Sequence, residues 1–508
     1  VPPLASHALA NADAARRQLA AGQPALVWRR VVADTETPVG AALKLIEPGR
    51  GDFLLESVEG GAIRGRYSLL GLDPDLVYRA TGLSCEINRA WQQDRAAFAP
   101  LPGGSLAELR ALAASCRIDV PPELPPALAC LVGYFGYETI GLVEQLPRAP
   151  QGALALPDML FVRPTVVLVF DGLTDALFCV APLWADGTGA DHALARAAER
   201  IDDTLRRLAA PAPMAPAAAP ELPEMALNPV LAPGDYPAMV ARAKEYITAG
   251  DIFQVVLAQR FTCPFPLPPL ALYRALRRVN PSPFLYFLDL PGFAIVGSSP
   301  EILVRVRDGE VTIRPIAGTR PRGLSEAADR AAEAELLADP KELAEHLMLL
   351  DLGRNDVGRV ATAGSVTVTD SFTVERYSHV MHIVSNVVGQ LAPERDALDA
   401  LFAGFPAGTV SGAPKIRACE IIAGLEPETR GPYAGGVGYF APDGSVDSCI
   451  VLRTAVVKDG TMHVQSGAGI VADSDPAYEQ RECEAKAGAL IAAAREAARI
   501  AAEPGFGQ

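Results

Sequence analysis

Residues 283–316 read PFLYFLDLPGFAIVGSSPEILVRVRDGEVTIRPI. The runs at 284–289, 294–298, 303–306 and 311–315 have the length and the β-branched and aromatic content of strands. Between the last two, Asp308-Gly309 offers the left-handed conformations that a two-residue hairpin turn demands. The same dipeptide recurs at Asp443-Gly444 and Asp459-Gly460, each between two further apolar runs. Strands joined by tight turns run antiparallel. The segment therefore predicts an antiparallel sheet with helices packed on it, an α+β fold rather than a parallel, doubly wound sheet.

Working outward, the C-terminal part predicts strands at 378–388, 434–440, 450–458 and 461–468. Helices are predicted at 238–248, 325–338, 340–354, 396–402, 414–423 and 478–502. Asp339-Pro340 divides two of these helices, as an N-cap followed by proline at the first helical position. On the N-terminal side, strands are expected at 25–32, 51–57, 67–71 and 160–169, and helices at 101–116 and 191–208. Residues 208–233 are dominated by Ala and Pro, which reads as an extended linker. The boundary near residue 220 gives two parts: an N-terminal one (1–220), whose strands are free to join the core sheets, and a larger C-terminal one (221–508).

Composition narrows the function. The 508 residues carry 45 Lys+Arg against 60 Asp+Glu, a net charge of −15, and no basic stripe suits a nucleic-acid backbone. No apolar run approaches the ~20 residues of a membrane span. The first residues, VPPLASHALANADAARR, lack the pattern of a secretory leader. The eight Cys are scattered and form no CxxC, and the six His form no HExxH, so reduced thiols in a cytoplasmic protein are expected.

Three kinds of segment carry chemistry. Glu342 and Glu345 lie three apart on a predicted helix and share a face, and Glu479 and Glu482 repeat the spacing near the C-terminus. Such pairs are commonly solvated faces, but two facing pairs make an oxygen-rich site for a hard cation such as Mg²⁺. Residues 404–415, GFPAGTVSGAPK, place three Gly with Thr409 and Ser411 before a helix, where exposed N–H groups favour an anion. Residues 465–470, QSGAGI, end a strand where backbone can approach a ligand. In Ser378-His-Val-Met-His382 the spacing of three puts His379 and His382 on opposite faces of a strand, so they do not chelate one metal together.

GSSPE (297–301), RPIAGTRPR (314–322), EHLMLLDLGRND (345–356), SHVMH (378–382), the 404–415 segment and QSGAG (465–469) occur in this order. Together they resemble the chorismate-utilising enzymes, above all the large, aminase subunits of anthranilate synthases. The resemblance is strongest over residues 232–490. It implies two large, mainly antiparallel sheets packed together with helices outside. It implies chorismate as substrate and Mg²⁺ as cofactor, with Glu345 and Glu482 as metal carboxylates supported by Glu342 and Glu479. Substrate contacts carry over to Gln254, Thr319, Thr409, Tyr433, Arg453, Lys486 and the backbone of Gly467, Ala468 and Gly469. Glu301 matches the family's general acid, and His382 is the candidate for assisting the final elimination, with Thr409 and Lys486 beside the reacting groups. Tyr478 lies further upstream than the family pattern puts its tyrosine.

Two positions separate relatives within that family. Water-adding members carry a lysine base where this chain has Gln254, and the para-aminating aminodeoxychorismate synthases typically carry lysine where it has Ala317. The resemblance thus implies that ammonia adds to chorismate and gives the ortho product. The alternatives are an aminodeoxychorismate synthase or a relative that stops at the aminated, unaromatised intermediate. Leu54-Leu-Glu-Ser57 and Asn280-Pro-Ser-Pro-Phe284 resemble the feedback motif of anthranilate synthases. This implies a tryptophan site at Leu55, Glu56, Ser57, Pro281, Ser282, Pro283, Phe284, Leu285 and Tyr439. The chain has no Gly-x-Cys-x-Gly nucleophile turn with a downstream His-x-Glu, so a separate glutamine amidotransferase subunit is implied as the ammonia source, in a heterotetramer.

Overall fold

The computed structural model describes residues 8–59, 63–212, 223–377 and 380–503. Its frame is a pair of twelve-stranded sheets, antiparallel throughout their ladders. The first sheet runs from Ala25–Val32 at one edge, through the paired strands Asp52–Glu59 and Phe284–Leu290, to Thr461–Ile470 and Gln254–Pro264. The second runs from Ile316–Pro321 and Val380–Gln390, through Ile302–Arg307 and Gly436–Phe440, to Leu131–Phe135 and Ala99–Leu101. Both sheets take strands from before and after the Ala/Pro-rich segment.

Alternation along the strands divides the core in two. Trp28, Phe53, Leu69 and Ile295 of the first sheet meet Tyr78, Val132, Phe161, Val304 and Val437 of the second in one apolar layer. On the outer face of the first sheet, Leu54, Leu70, Phe287 and Val296 pack under the helices Pro269–Val279, Ala190–Leu208 and Pro476–Ala502, through Leu276, Ile201 and Leu490. The α+β reading and the pair of large antiparallel sheets hold.

All three Asp-Gly turns close hairpins: Arg307 pairs with Glu310, Phe440 with Val446 and Lys458 with Thr461. Asp339 caps the helix Pro340–Gly358, accepting from Lys341 N at 3.0 Å, with Pro340 at its first position. One expectation fails with consequences for the site. The predicted strand 450–458 is two strands: Val446–Ile450 in the second sheet and Thr454–Lys458 in the first. The chain crosses between sheets at 451–453, and Arg453 makes the corner with φ 48°, a left-handed conformation rare for a non-glycine residue. The predicted helix 101–116 begins later, at Ser105, after a short strand Ala99–Leu101. Ser378 and His379 lie outside the described residues, as do 213–222 of the expected linker.

Candidate active site

The switch from strand to strand at 451–453 carries Arg453 into a cavity of about 340 Å³, lined also by Pro281, Ser282, Tyr377, His382, Glu482 and Lys486. Burial lowers the affinity of the Arg453 guanidinium for its proton, partly offset by Tyr377 and Glu301. Among the described residues the guanidinium makes no hydrogen bond or ion pair. A desolvated cation without a counter-ion is costly unless an anion arrives. Its fork of donors suits a carboxylate.

Glu301 follows the last residues of Phe293–Ser299, where GSSPE turns the chain from the first sheet into the second. Its carboxyl is buried (4% exposed) and accepts from Thr409 Oγ1 at 2.9 Å. Burial lifts it to about 8, against the hydrogen bond from Thr409 and the charge of Arg453. At neutral pH Glu301 therefore holds a proton, as a general acid must. The Thr409 turn is itself fixed from below. Arg430, 2% exposed, donates to Val410 O at 2.8 Å and Val256 O at 2.7 Å, and pairs with Glu426, which accepts from Ala258 N at 2.9 Å. This buried pair ties the turn to the strand Gln254–Pro264. A second pair, Lys415–Asp356 at 2.8 Å, ties the following helix Lys415–Leu425 to Pro340–Gly358.

His382 is buried and faces Thr319 across neighbouring strands. Its Nδ1 lies 3.0 Å from both Thr319 Oγ1 and Gly318 O. A carbonyl oxygen only accepts, so Nδ1 carries the proton and Nε2 keeps its lone pair. Burial depresses the imidazole to about 4, so it is neutral at physiological pH. The Tyr377 ring packs edge-on against it, centroids 5.5 Å apart.

The remaining candidates join through shared partners. Lys486 Nζ bonds Glu482 at 2.7 Å and Gly467 O at 2.9 Å. A Cβ on Gly467 would sit 2.9 Å from the Tyr433 hydroxyl, and one on Gly469 2.5 Å from Gln254 Nε2. Close approach requires Gly467, whose Cβ would also sit 2.8 Å from the backbone oxygen of Leu257, whereas at Gly469 the flexible Gln254 side chain can shift. Gln254 also favours the charged form of Glu345, and Ala468 pairs with Leu257 in the same ladder.

The carboxylates expected to hold Mg²⁺ lie on the helices Pro340–Gly358 and Pro476–Ala502. Burial first and Glu342 second raise Glu345, and burial first raises Glu479, with Glu482 adding to it. Lys341 acts on both of them. Their oxygen-only donors fit a hard cation. They are not gathered, however: Glu342 is bonded by Arg320, and no three His, Cys, Asp or Glu among the described residues form a metal cluster.

A second, larger cavity of about 750 Å³ takes Leu55, Ser57, Pro283, Phe284, Leu285 and Tyr439, with Glu56 at its edge. The Glu56 carboxylate is engaged by Tyr273 (2.6 Å) and Arg277 (2.7 and 2.8 Å) of the helix Pro269–Val279. Pro281 and Ser282, expected beside them, line the smaller cavity instead. Reading the sequence missed Tyr377, Arg430, Asp356 and Lys415; only Glu426-x-x-x-Arg430, at helical pair spacing, carried a local signal.

Residues 71–492 match the chorismate binding enzyme family. The anthranilate synthase component 1 of Cereibacter sphaeroides is 56% identical over 490 residues, covering 96% of this chain and 98% of that one. The component 1 of Thermus thermophilus is 48% identical, covering 91% and 96%. The chain belongs to the anthranilate synthase component 1 family of chorismate-binding enzymes. Among solved structures, anthranilate synthase component I from Streptococcus pneumoniae superposes with a TM-score of 0.74 at 36% identity, covering 84% of this chain and 92% of that one. The Escherichia coli isochorismate synthase MenF, 19% identical over 95% and 98% with a TM-score of 0.68, shares the fold. Membership makes this an enzyme. Among the described residues no helix is long and apolar enough to cross a membrane.

Proposed function

We propose that the protein converts chorismate and ammonia to anthranilate and pyruvate, with Mg²⁺, and that tryptophan inhibits it from the larger cavity. The observation that carries the reading is the protonated, buried Glu301 beside the unpartnered guanidinium of Arg453. A dianionic substrate supplies the anion that Arg453 lacks. As ammonia bonds to ring carbon 2, the double bonds shift and the carbon 4 hydroxyl leaves, taking the Glu301 proton as water. Hydroxide alone is a poor leaving group, so this proton is essential. Loss of the carbon 2 proton and of the enolpyruvyl group as pyruvate then aromatises the ring. The unprotonated Nε2 of His382 supports its part in orienting the substrate or receiving that proton.

Glu345 and Glu482, with Glu342 and Glu479 in support, would hold Mg²⁺. Half-buried Glu345 and buried Glu479, each destabilised by a like-charged neighbour, gain from a divalent cation. When bound, the ion supplies Lewis-acid stabilisation of a substrate carboxylate. Gln254 and Ala317, neither of them an amine, support ammonia as the nucleophile. A glutamine amidotransferase subunit would deliver it, the relatives being named component 1.

The test incubates the protein with chorismate, Mg²⁺ and ammonium at alkaline pH, and measures anthranilate fluorescence and pyruvate with and without tryptophan. Equimolar anthranilate and pyruvate, suppressed by tryptophan, is the expected result. An aminated product that retains the enolpyruvyl group overturns the assignment of the final step. Formation of isochorismate overturns the nucleophile.

A further inference from the structure

The two cavities share a wall. Pro300 and Tyr377 line both. On the side of the larger cavity, Tyr377 donates to Glu375 Oε2 at 2.9 Å, and Arg314 pairs with the other oxygen of the same carboxylate. Arg314 and Glu375 both line the larger cavity. On the side of the smaller cavity, the same ring packs on His382 and lines the space that Arg453 also lines. Tyr377 is therefore held by one cavity and helps to set the position of His382 in the other. Among the described residues His382 has Thr319 and Gly318 at its Nδ1 and the Tyr377 ring against its edge, and these contacts together orient it.

We propose that Tyr377 is the positioning residue through which an occupant of the larger cavity acts on the catalytic cavity, by way of the Arg314–Glu375–Tyr377 chain. The proposal rests on the reading of that cavity as a tryptophan site. An amino acid brings a carboxylate and an ammonium, and each competes for one member of the Arg314–Glu375 pair. Redrawing that pair changes what the Tyr377 hydroxyl bonds to, and the ring turns with it against His382 and Arg453. Any such link is reciprocal: chorismate must weaken tryptophan binding by the same factor as tryptophan weakens chorismate binding.

The experiment measures tryptophan binding calorimetrically, in Mg²⁺ and without ammonium so that no turnover occurs, with and without saturating chorismate. Wild type, Tyr377→Phe and Tyr377→Leu are compared. In wild type chorismate is expected to weaken tryptophan binding by about tenfold, within the usual range of such couplings. In Tyr377→Phe, which keeps the ring and loses the bond to Glu375, tryptophan still binds but the ratio falls below about twofold. Tyr377→Leu removes the ratio as well and also raises KM, since the ring itself is gone. A wild-type ratio retained in Tyr377→Phe overturns the coupling role and leaves the tryptophan site standing. Failure of wild type to bind tryptophan overturns both. Loss of structure in either variant is separated from these outcomes by its circular dichroism and melting temperature.

Discussion

The two cavities are built on opposite electrostatic plans. In the larger one the charges are matched: Arg66 with Asp171, Arg305 with Asp447, Arg314 with Glu375 and Arg277 with Glu56. In the smaller one Lys486 is matched by Glu482, but Arg453 has no counter-ion among the described residues, and nearby Glu301 is kept neutral by burial. A matched pocket is stable when empty, and a ligand must exchange existing bonds to enter it. An unmatched one is costly when empty, and a charged ligand or a transition state relieves it. The difference teaches that charge removal should act on activity in one cavity and on stability in the other.

Glu301→Gln is the strongest way to break that contrast. It keeps the shape and removes the proton donor, so kcat with ammonium should fall about a thousandfold while calorimetric tryptophan binding stays unchanged. Arg453→Ala should cost about a hundredfold in kcat/KM, the worth of hydrogen bonds to a charged group, with no loss of melting temperature. A lower melting temperature would show that Arg453 has a structural partner. Glu56→Ala should do the reverse. It strands the half-buried Arg277 and costs about 3 kcal/mol of stability in denaturant unfolding, and the folded fraction should retain its basal kcat.

The last effect is a slope. The Glu301 carboxyl is raised from its ordinary 4.5 to about 8 in the fold. Below 4.5 it is protonated both folded and unfolded, and its full contribution is present. Between 4.5 and 8 only the folded form holds the proton, so stability falls as pH rises, until the contribution is lost above 8. Subtracting the melting curve of Glu301→Gln from that of wild type should isolate this decline, against a background in which buried Glu138, raised to about 7, titrates similarly in both proteins. A flat difference between pH 5 and 8 would mean that Glu301 is ionised, and would remove it as the acid.

Much of this was legible in the chain because it is locally encoded. Asp-Gly turns, the Asp339 cap and proline at the first turn fix elements within a few residues. The helix Pro269–Val279 went unread because Pro266, Pro268 and Pro269 look like a loop, although Pro269 serves as the first helical residue. The crossing at 451–453 was hidden for a different reason: the residues on both sides are apolar, and only pairing with two different sheets breaks the run. Tyr377 carried no signal at all, since its role depends on which residues from elsewhere in the chain surround it. The ordered motifs pointed to the site residues. Which cavity Pro281 and Ser282 line was decided by packing.

Arg453 pays for its place twice, in a backbone angle that favours glycine and in a guanidinium partly withdrawn from water. Natural selection for robustness alone would put glycine there. Arg453→Gly should therefore yield a protein more stable by about 1 kcal/mol from the backbone alone, with the same hundredfold loss of kcat/KM as Arg453→Ala. The corner between the sheets is where this fold trades durability for reactivity, and a screen for thermostable variants that ignored turnover would be drawn to it.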